Sequence, residues 1–152
     1  VPMGVTELYS AVQEWANDHY TPIKEMPSQK VNSINPESYE VTASGEEWLV
    51  FANKFLSLDR TRMYYKINLA CYDKKVIARI FNIRYWYEED REGGVKFSAE
   101  EWITNEWALN KKGTKLSKKS GKFRVKTIDR TEEIFNDLET FINRKAIKNI
   151  MK

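Results

Sequence analysis

Residues 63–87 read MYYKINLACYDKKVIARIFNIRYWY, two runs of β-branched and aromatic residues parted by a polar break at Asp73-Lys74-Lys75. Apolar and polar positions alternate on both sides of the break, and a period of two sends successive side chains to opposite faces of a strand. The segment therefore predicts an antiparallel hairpin with strands over about residues 62–72 and 76–87. A hairpin with one apolar face is not stable alone. Further strands and a covering layer must come from the rest of the chain.

Register decides which side chains share a face. A three-residue turn places Tyr65, Ile67, Leu69 and Cys71 beside Ile77, Arg79, Phe81, Ile83, Tyr85 and Tyr87. That set is apolar apart from Arg79 and is expected to form the core face. The opposite face then carries Tyr64, Lys66, Asn68, Ala70, Tyr72, Val76, Ala78, Ile80, Asn82, Arg84 and Trp86. A two-residue turn would flip the second strand and bury Asn82 and Arg84, and burying a polar amide and a charge is costly.

The flanking segments supply the covering layer. Leu8, Ala11, Val12, Trp15 and His19 recur at helical spacing behind Thr6, which predicts an N-cap at Thr6 and a helix over 7–19. Pro22, Pro27 and Pro36 punctuate the next stretch, with a short strand expected around 30–34. YEVTA and EWLVFAN flank Ser44-Gly45, read as a tight hairpin turn, and residues 56–61 (LSLDRT) connect onward. Ser98 and Glu101 have capping-box spacing ahead of a short helix bearing Trp102 and Ile103, and Thr104 caps a further turn with Trp107 and Leu109. KFRVKTI alternates and predicts a short edge strand, where lysines are at home. Asp129 and Glu132 mark the start of a last helix with Ile134, Phe135, Leu138, Phe141 and Ile142 on one face. The order predicts a single α+β domain over residues 1–152. Its antiparallel sheet of four to five strands has the N- and C-terminal helices packed on one face.

With 152 residues, 41% of them hydrophobic and 31% charged, the chain has the balance of a globular domain able to bury its own core. No apolar run approaches the ~20 residues that span a bilayer. The opening Val1 implies a trimmed product, and a signal peptide would lie upstream of it. One cysteine, Cys71, excludes an intrachain disulfide and a cysteine-rich metal site. Residues 111–126 hold eight of the 25 Lys and Arg and no acid, so the other residues carry 17 basic against 22 acidic groups. A basic segment of this kind reads first as a solvated loop.

The stretches ELYSAVQEW, YYKINLACYDKKVIARIFNIRYWYE, AEEWITNEWALNKK and GKFRVKTIDRTEEIF, in this order and spacing, carry a resemblance across most of residues 6–142. The chain resembles a bacterial family of domains of unknown function described as having a TATA-box-binding-protein-like fold. The resemblance implies that fold and an exported or lipid-anchored position at the cell envelope. It implies no activity and carries no functional residues.

Catalysis has little support in the residues. His19 is the one histidine, sits on the apolar side of the first helix and reads as a buried or partly buried structural residue. Cys71 on the core face reads as an inert thiol. The acidic pairs at 46–47, 88–90, 100–101 and 132–133 are adjacent in sequence and do not face each other. EEDREGG lacks EF-hand spacing, and SGK at 120–122 lacks the rest of a phosphate loop. No enzyme, metal or cofactor is implied.

One surface has binding chemistry. Tyr64, Lys66, Tyr72, Arg84 and Trp86 mix stacking rings with cations on the face away from the expected core. Such a face suits a protein, peptide or glycan ligand, or a second copy of the chain in a homo-oligomer. Nucleic acid, held by the same face and the lysine-rich segment 111–126, is the alternative, less favoured because the implied location is the envelope. Trp102 and Trp107 read as core plugs.

Overall fold

The computed structural model describes residues 1–54, 57–87, 92–103 and 120–151. The elements follow in the order α1 (Val5–His19), β1 (Lys30–Asn35), β2 (Glu40–Lys54), β3 (Ser57–Tyr72), β4 (Lys75–Tyr87), β5 (Val95–Ser98), α2 (Ala99–Trp102) and α3 (Ser120–Ile150). Among the described residues the strands form one antiparallel sheet in sequential order, β1-β2-β3-β4-β5, with helices before and after it. The α+β expectation holds. None of the helices is long and apolar enough to cross a membrane, among the described residues.

The chain divides into two compact units, and β2, β3, β4 and α3 each contribute to both. The first comprises Val1–Gly45, Lys66–Phe81 and Glu133–Lys152; the second comprises Glu46–Tyr65 and Asn82–Glu132.

In the first unit α1 buries Leu8, Tyr9, Ala11, Val12, Trp15 and Ala16, an apolar stripe at helical spacing. Val41, Ala43, Ile67, Leu69 and Cys71 of the strands and Leu138, Ile142 and Ala146 of α3 are buried with it. Trp15 Nε1 donates to Asp137 Oδ2 at 2.8 Å, and Lys145 pairs with Glu14 at 2.8 Å, so α1 and the second half of α3 are neighbours. The helix starts one residue before Thr6, with Gly4 at the N-cap and no side-chain cap bond.

The turn between β1 and β2 lies at residues 36–39, where the Asn35 Oδ1 accepts from the amides of Glu37 and Ser38 at 3.0 and 3.3 Å. The expected hairpin turn at Ser44-Gly45 is absent, and β2 runs straight through it with Ser44 paired to Lys30. Asn-Pro supplies the stronger turn chemistry: the Asn side chain bonds back to the chain, and Pro36 presets φ. LSLDRT is likewise not a connector, because β3 already begins at Ser57.

In the second unit Met63, Tyr65, Tyr85 and Phe123 are buried almost completely. Phe123 lies 4.6 Å from Phe51, 5.1 Å from Tyr87, 5.2 Å from Tyr85 and 5.4 Å from Phe97, ring centre to ring centre. It reaches them from α3, which starts at Ser120, so KFRVKTI is helical rather than an edge strand and Asp129 is no helix start. Phe123 and Thr127, four residues apart, are buried, while Val125 and Ile128 are exposed. That is helical spacing hidden inside an alternating run. Ser98 caps α2 as expected, accepting from the Glu101 amide at 3.3 Å. Trp107, the turn capped by Thr104 and residues 111–119 lie outside the described residues, as do residues 88–91 of the acidic loop.

The central hairpin corrects the register argument. β3 ends at Tyr72 and β4 begins at Lys75, which leaves a two-residue turn with Lys74 in the left-handed region at φ +64°. Val76 and Ala78 therefore line the same groove as Phe135, Leu138 and Ile142 of α3, and Ile77 points away, 50% exposed. Arg79 lies over the Phe81 ring at 4.6 Å, so Phe81 and Arg79 are off the core face as well. Then the alternation slips by one. Asn82 adopts φ +53°, and from there Ile83, Tyr85 and Tyr87 turn inward while Arg84 turns out. An extra residue in one strand has this effect on side-chain parity, and it is the signature of a β-bulge.

Candidate functional site

The site is built on the second unit, on the side of its strands away from α3. β3 alternates from its first turn: Asp59, Thr61, Met63 and Tyr65 point toward α3, which leaves Arg60, Arg62 and Tyr64 on the open side. On β2, Glu47 bonds Arg130 of α3 and Phe51 packs against the Phe123 ring, so Glu46 and Trp48 share the open side. β5 pairs with β4 such that Lys96 stands opposite Trp86.

Each exposed-side ring is covered by a cation. Arg60 and Arg62 lie 3.6 and 4.3 Å from the centre of the Trp48 ring. Arg84 stands 5.5 Å from Tyr64, and Lys96 4.5 Å from Trp86. Cations within about 6 Å of a ring face are attracted by its quadrupole. Trp86 is also fixed by its Nε1 donating to the Gly93 carbonyl at 2.7 Å. Among the described residues Glu46 is the carboxylate of this face; it is 2% exposed and accepts from Arg62 Nη1 at 2.7 Å. Arg60, Arg84 and Lys96 make no ion pair among the described residues.

The structure thus brings together Tyr64, Arg84 and Trp86 of the five residues singled out in the sequence. Lys66 and Tyr72 belong to the first unit, where Tyr72 is 48% exposed with the Lys75 ammonium 5.3 Å from its ring. Sequence reasoning missed Trp48, Arg60, Arg62 and Lys96. Arg62 already lies in the strand expected over 62–72, on the face of Tyr64, and period-2 alternation continues back from it to Arg60, a signal that would have extended the strand and found both arginines.

The α3 side of the same unit holds a second set of polar groups. Lys122 Nζ donates to Asp59 Oδ2 at 2.7 Å and contacts Tyr87 Oη at 2.9 Å, while Tyr87 Oη donates to Asp59 Oδ1 at 2.6 Å. Partial burial would raise the Asp59 carboxyl, but the bonds from Lys122 and Tyr87 outweigh it and hold the group below its ordinary range. Lys122 is pushed up because its bonds to Asp59 and Tyr87 outweigh partial burial, and burial together with the Asp59 bond pushes Tyr87 up. Lys122 is therefore an ammonium and Tyr87 a neutral phenol at pH 7, a closed tie with no free base or nucleophile. Burial also drives Tyr85, bonded to Thr127 at 2.6 Å, up to about 12.

In the first unit His19 is not buried. Its side chain is 41% exposed, stacked on Trp15 at 4.4 Å, with Nε2 2.8 Å from Asp137. It closes the α1–α3 contact from the rim, which is a structural place of a different kind. Cys71 is buried, and burial pushes its thiol up to about 11, so it is unreactive at neutral pH.

A family model described as a domain of unknown function (DUF4468) with TBP-like fold matches residues 2–86. The crystal structure of a DUF4468 family protein from Bacteroides ovatus ATCC 8483 is similar at 32% identity and TM-score 0.82, over 93% of this chain and 80% of that one. A TBP-like protein from Parabacteroides distasonis ATCC 8503 shares the fold at 24% identity and TM-score 0.73, over 91% of this chain and 83% of that one. Among curated proteins nothing matches. With its sequential antiparallel sheet, its flanking helices and a family match over more than half its length, the chain belongs to the bacterial DUF4468 family with a TBP-like fold.

Proposed function

We propose that the protein is a non-catalytic binding domain of the bacterial envelope that holds an anionic protein, peptide or glycan partner on the open face of its second unit. One observation carries this reading: Trp48, Tyr64 and Trp86 each lie under an arginine or lysine, and the one carboxylate among them in the described residues, Glu46, is already bonded to Arg62. A face with more fixed cations than anions attracts negative charge and orients it. The titratable groups of the interior point away from catalysis, since Lys122, Tyr87 and Cys71 are all shifted toward their protonated forms.

The envelope position follows from the resemblance drawn in the sequence, and fractionation of the native organism tests it. The nucleic-acid alternative called on residues 111–126 as well as this face. Lys122 of that segment is turned to Asp59 and Tyr87 on the α3 side, which takes one of its cations away.

Titration of the protein with poly-L-glutamate, polygalacturonate and single- and double-stranded oligonucleotides, at low and high salt, checks the reading. A saturable complex with one of the carboxylate polymers is expected, weakening with salt. Arg84→Ala and Trp86→Ala should each bind about tenfold less tightly with unchanged thermal unfolding, the equivalent of ~1.4 kcal/mol. Unfolding of both variants would put this face in the core and end the reading. Tighter binding to the oligonucleotides would put nucleic acid in its place.

A further inference from the structure

We propose that the groove between β4 and α3 in the first unit binds a single-chain amphiphile, a straight apolar tail with an anionic head. Val76 and Ala78 line it on the strand side, and Phe135, Leu138 and Ile142 on the helix side. All five belong to the first unit. The helical residues follow at i, i+3 and i+7, so they make one apolar stripe about 10 Å long. Leu138 and Ile142 are buried, whereas Val76, Ala78 and Phe135 stay half-buried, which leaves apolar surface in contact with water. The groove holds about 370 Å³, within the ~300–1,000 Å³ of small-molecule sites. At about 30 Å³ for a group the size of a water molecule, that is room for a chain of roughly ten carbons. Ala78 is the smallest side chain of the lining, and a larger one there would occupy the space.

The rim selects the head. Lys74 and Lys75 line the same groove at the turn from β3 to β4, and both are exposed. The turn is held in place, because the Lys74 amide donates to the Met3 carbonyl at 3.0 Å. Neither ammonium has an ion pair among the described residues; Lys75 has the Tyr72 ring at 5.3 Å. Two acids stand near. Asp73 turns its carboxylate toward Gly4, where Oδ1 would meet an added Cβ at 3.9 Å. Glu139 lines the groove and is exposed, so the described lining carries two lysines against one carboxylate. An apolar tail in the groove takes Val76, Ala78 and Phe135 out of water, which favours binding in proportion to the area covered. Its anionic head then meets the two ammoniums at the turn while staying in solvent.

Calorimetric titration of the protein with decanoate, octanoate and decyltrimethylammonium, each below its micelle concentration, tests the groove. One saturable site for decanoate is expected, with octanoate about tenfold weaker for the loss of two methylenes. Ala78→Phe leaves the charge unchanged and fills the space, and decanoate should bind about tenfold less tightly or worse. Lys74→Asn combined with Lys75→Gln leaves the groove open and puts at 74 a residue that tolerates its φ of +64°. This double variant should weaken decanoate about fivefold, and it serves alone if circular dichroism shows Ala78→Phe unfolded. Decyltrimethylammonium bound as tightly as decanoate overturns the anionic head, and octanoate bound as tightly as decanoate overturns the apolar tail. Decanoate affinity unmoved by folded Ala78→Phe, or by the lysine double variant, overturns the groove as its site. Absence of decanoate binding, or co-sedimentation with phosphatidylglycerol vesicles in its place, overturns the proposal whole. The carboxylate polymers do not enter, so this proposal and the binding reading of the open face can each fail alone.

Discussion

The two sides of the second unit use the same residue types to opposite ends. On the α3 side Lys122 lies 4.9 Å from the Phe51 ring and 5.0 Å from Tyr87, much as Arg60 lies over Trp48 on the open side. The difference is in the counter-charge. Lys122 has Asp59 and the Tyr87 hydroxyl within hydrogen-bond reach, whereas Arg60, Arg84 and Lys96 each have a ring and, among the described residues, no carboxylate partner. A cation with its partner in place holds the fold together. A cation oriented by a ring alone is arranged but not neutralised, and that makes it available to a ligand. Cation–aromatic proximity by itself does not mark a binding site.

The comparison breaks first if the α3 side is not the stabilising one. Phe123→Ala empties the contact with Phe51, Tyr85, Tyr87 and Phe97. Its cost should be about 3–5 kcal/mol in denaturant unfolding, the range for a buried aromatic cut to alanine.

Asp59→Asn is the sharper probe of the tie. At pH 7 it should cost about 1–2 kcal/mol, an amount already reduced for a pair about one-third exposed to solvent. The folded carboxyl lies below its ordinary value of 3.8, so its contribution is complete above that value and disappears as the pH falls toward the lower, folded one. The gap between wild type and Asp59→Asn should stay constant from pH 7 to about pH 5 and close below about pH 4. Melting curves across that range measure it, and a gap that widens in acid would contradict the assignment.

The parts of this molecule that were legible in the sequence are those in which local pattern and tertiary burial agree. The α1 stripe, the Ser98 cap and the hairpin at residues 63–87 are such cases. The misread parts are those where a strong local signal lost to a stronger one nearby. Ser44-Gly45 looks like a turn, but Asn35-Pro36 makes a better one nine residues earlier. KFRVKTI alternates like a strand, yet Phe123 and Thr127 share a helical face with the residues after them. The hairpin register is the most instructive case. A strict period of two offered only two choices, both wrong over half of β4, because Asn82 at φ +53° shifts the parity partway along. Arg84 reached the open side for a reason that no uninterrupted alternation contains. The candidate face was legible at Tyr64, Arg84 and Trp86; Arg60 was hidden in a segment read as a connector, and Arg62 stood at the first position of the expected strand.

The smallest effect is the most discriminating for the open side. Arg84 is exposed, stands 5.5 Å from Tyr64 and has no ion pair among the described residues. Its truncation to alanine gives up an exposed cation–ring contact of about 0.5–1 kcal/mol. It also relieves repulsion from neighbouring arginines, so the net change in stability should stay within about 0.5 kcal/mol. Raising the ionic strength should stabilise the wild type slightly more than Arg84→Ala, because screening removes a repulsion that the variant has already lost. Paired salt series of thermal unfolding detect the difference. A loss comparable to that of Asp59→Asn would mean that Arg84 is tied into the fold as Lys122 is, and the contrast between the two sides would be gone.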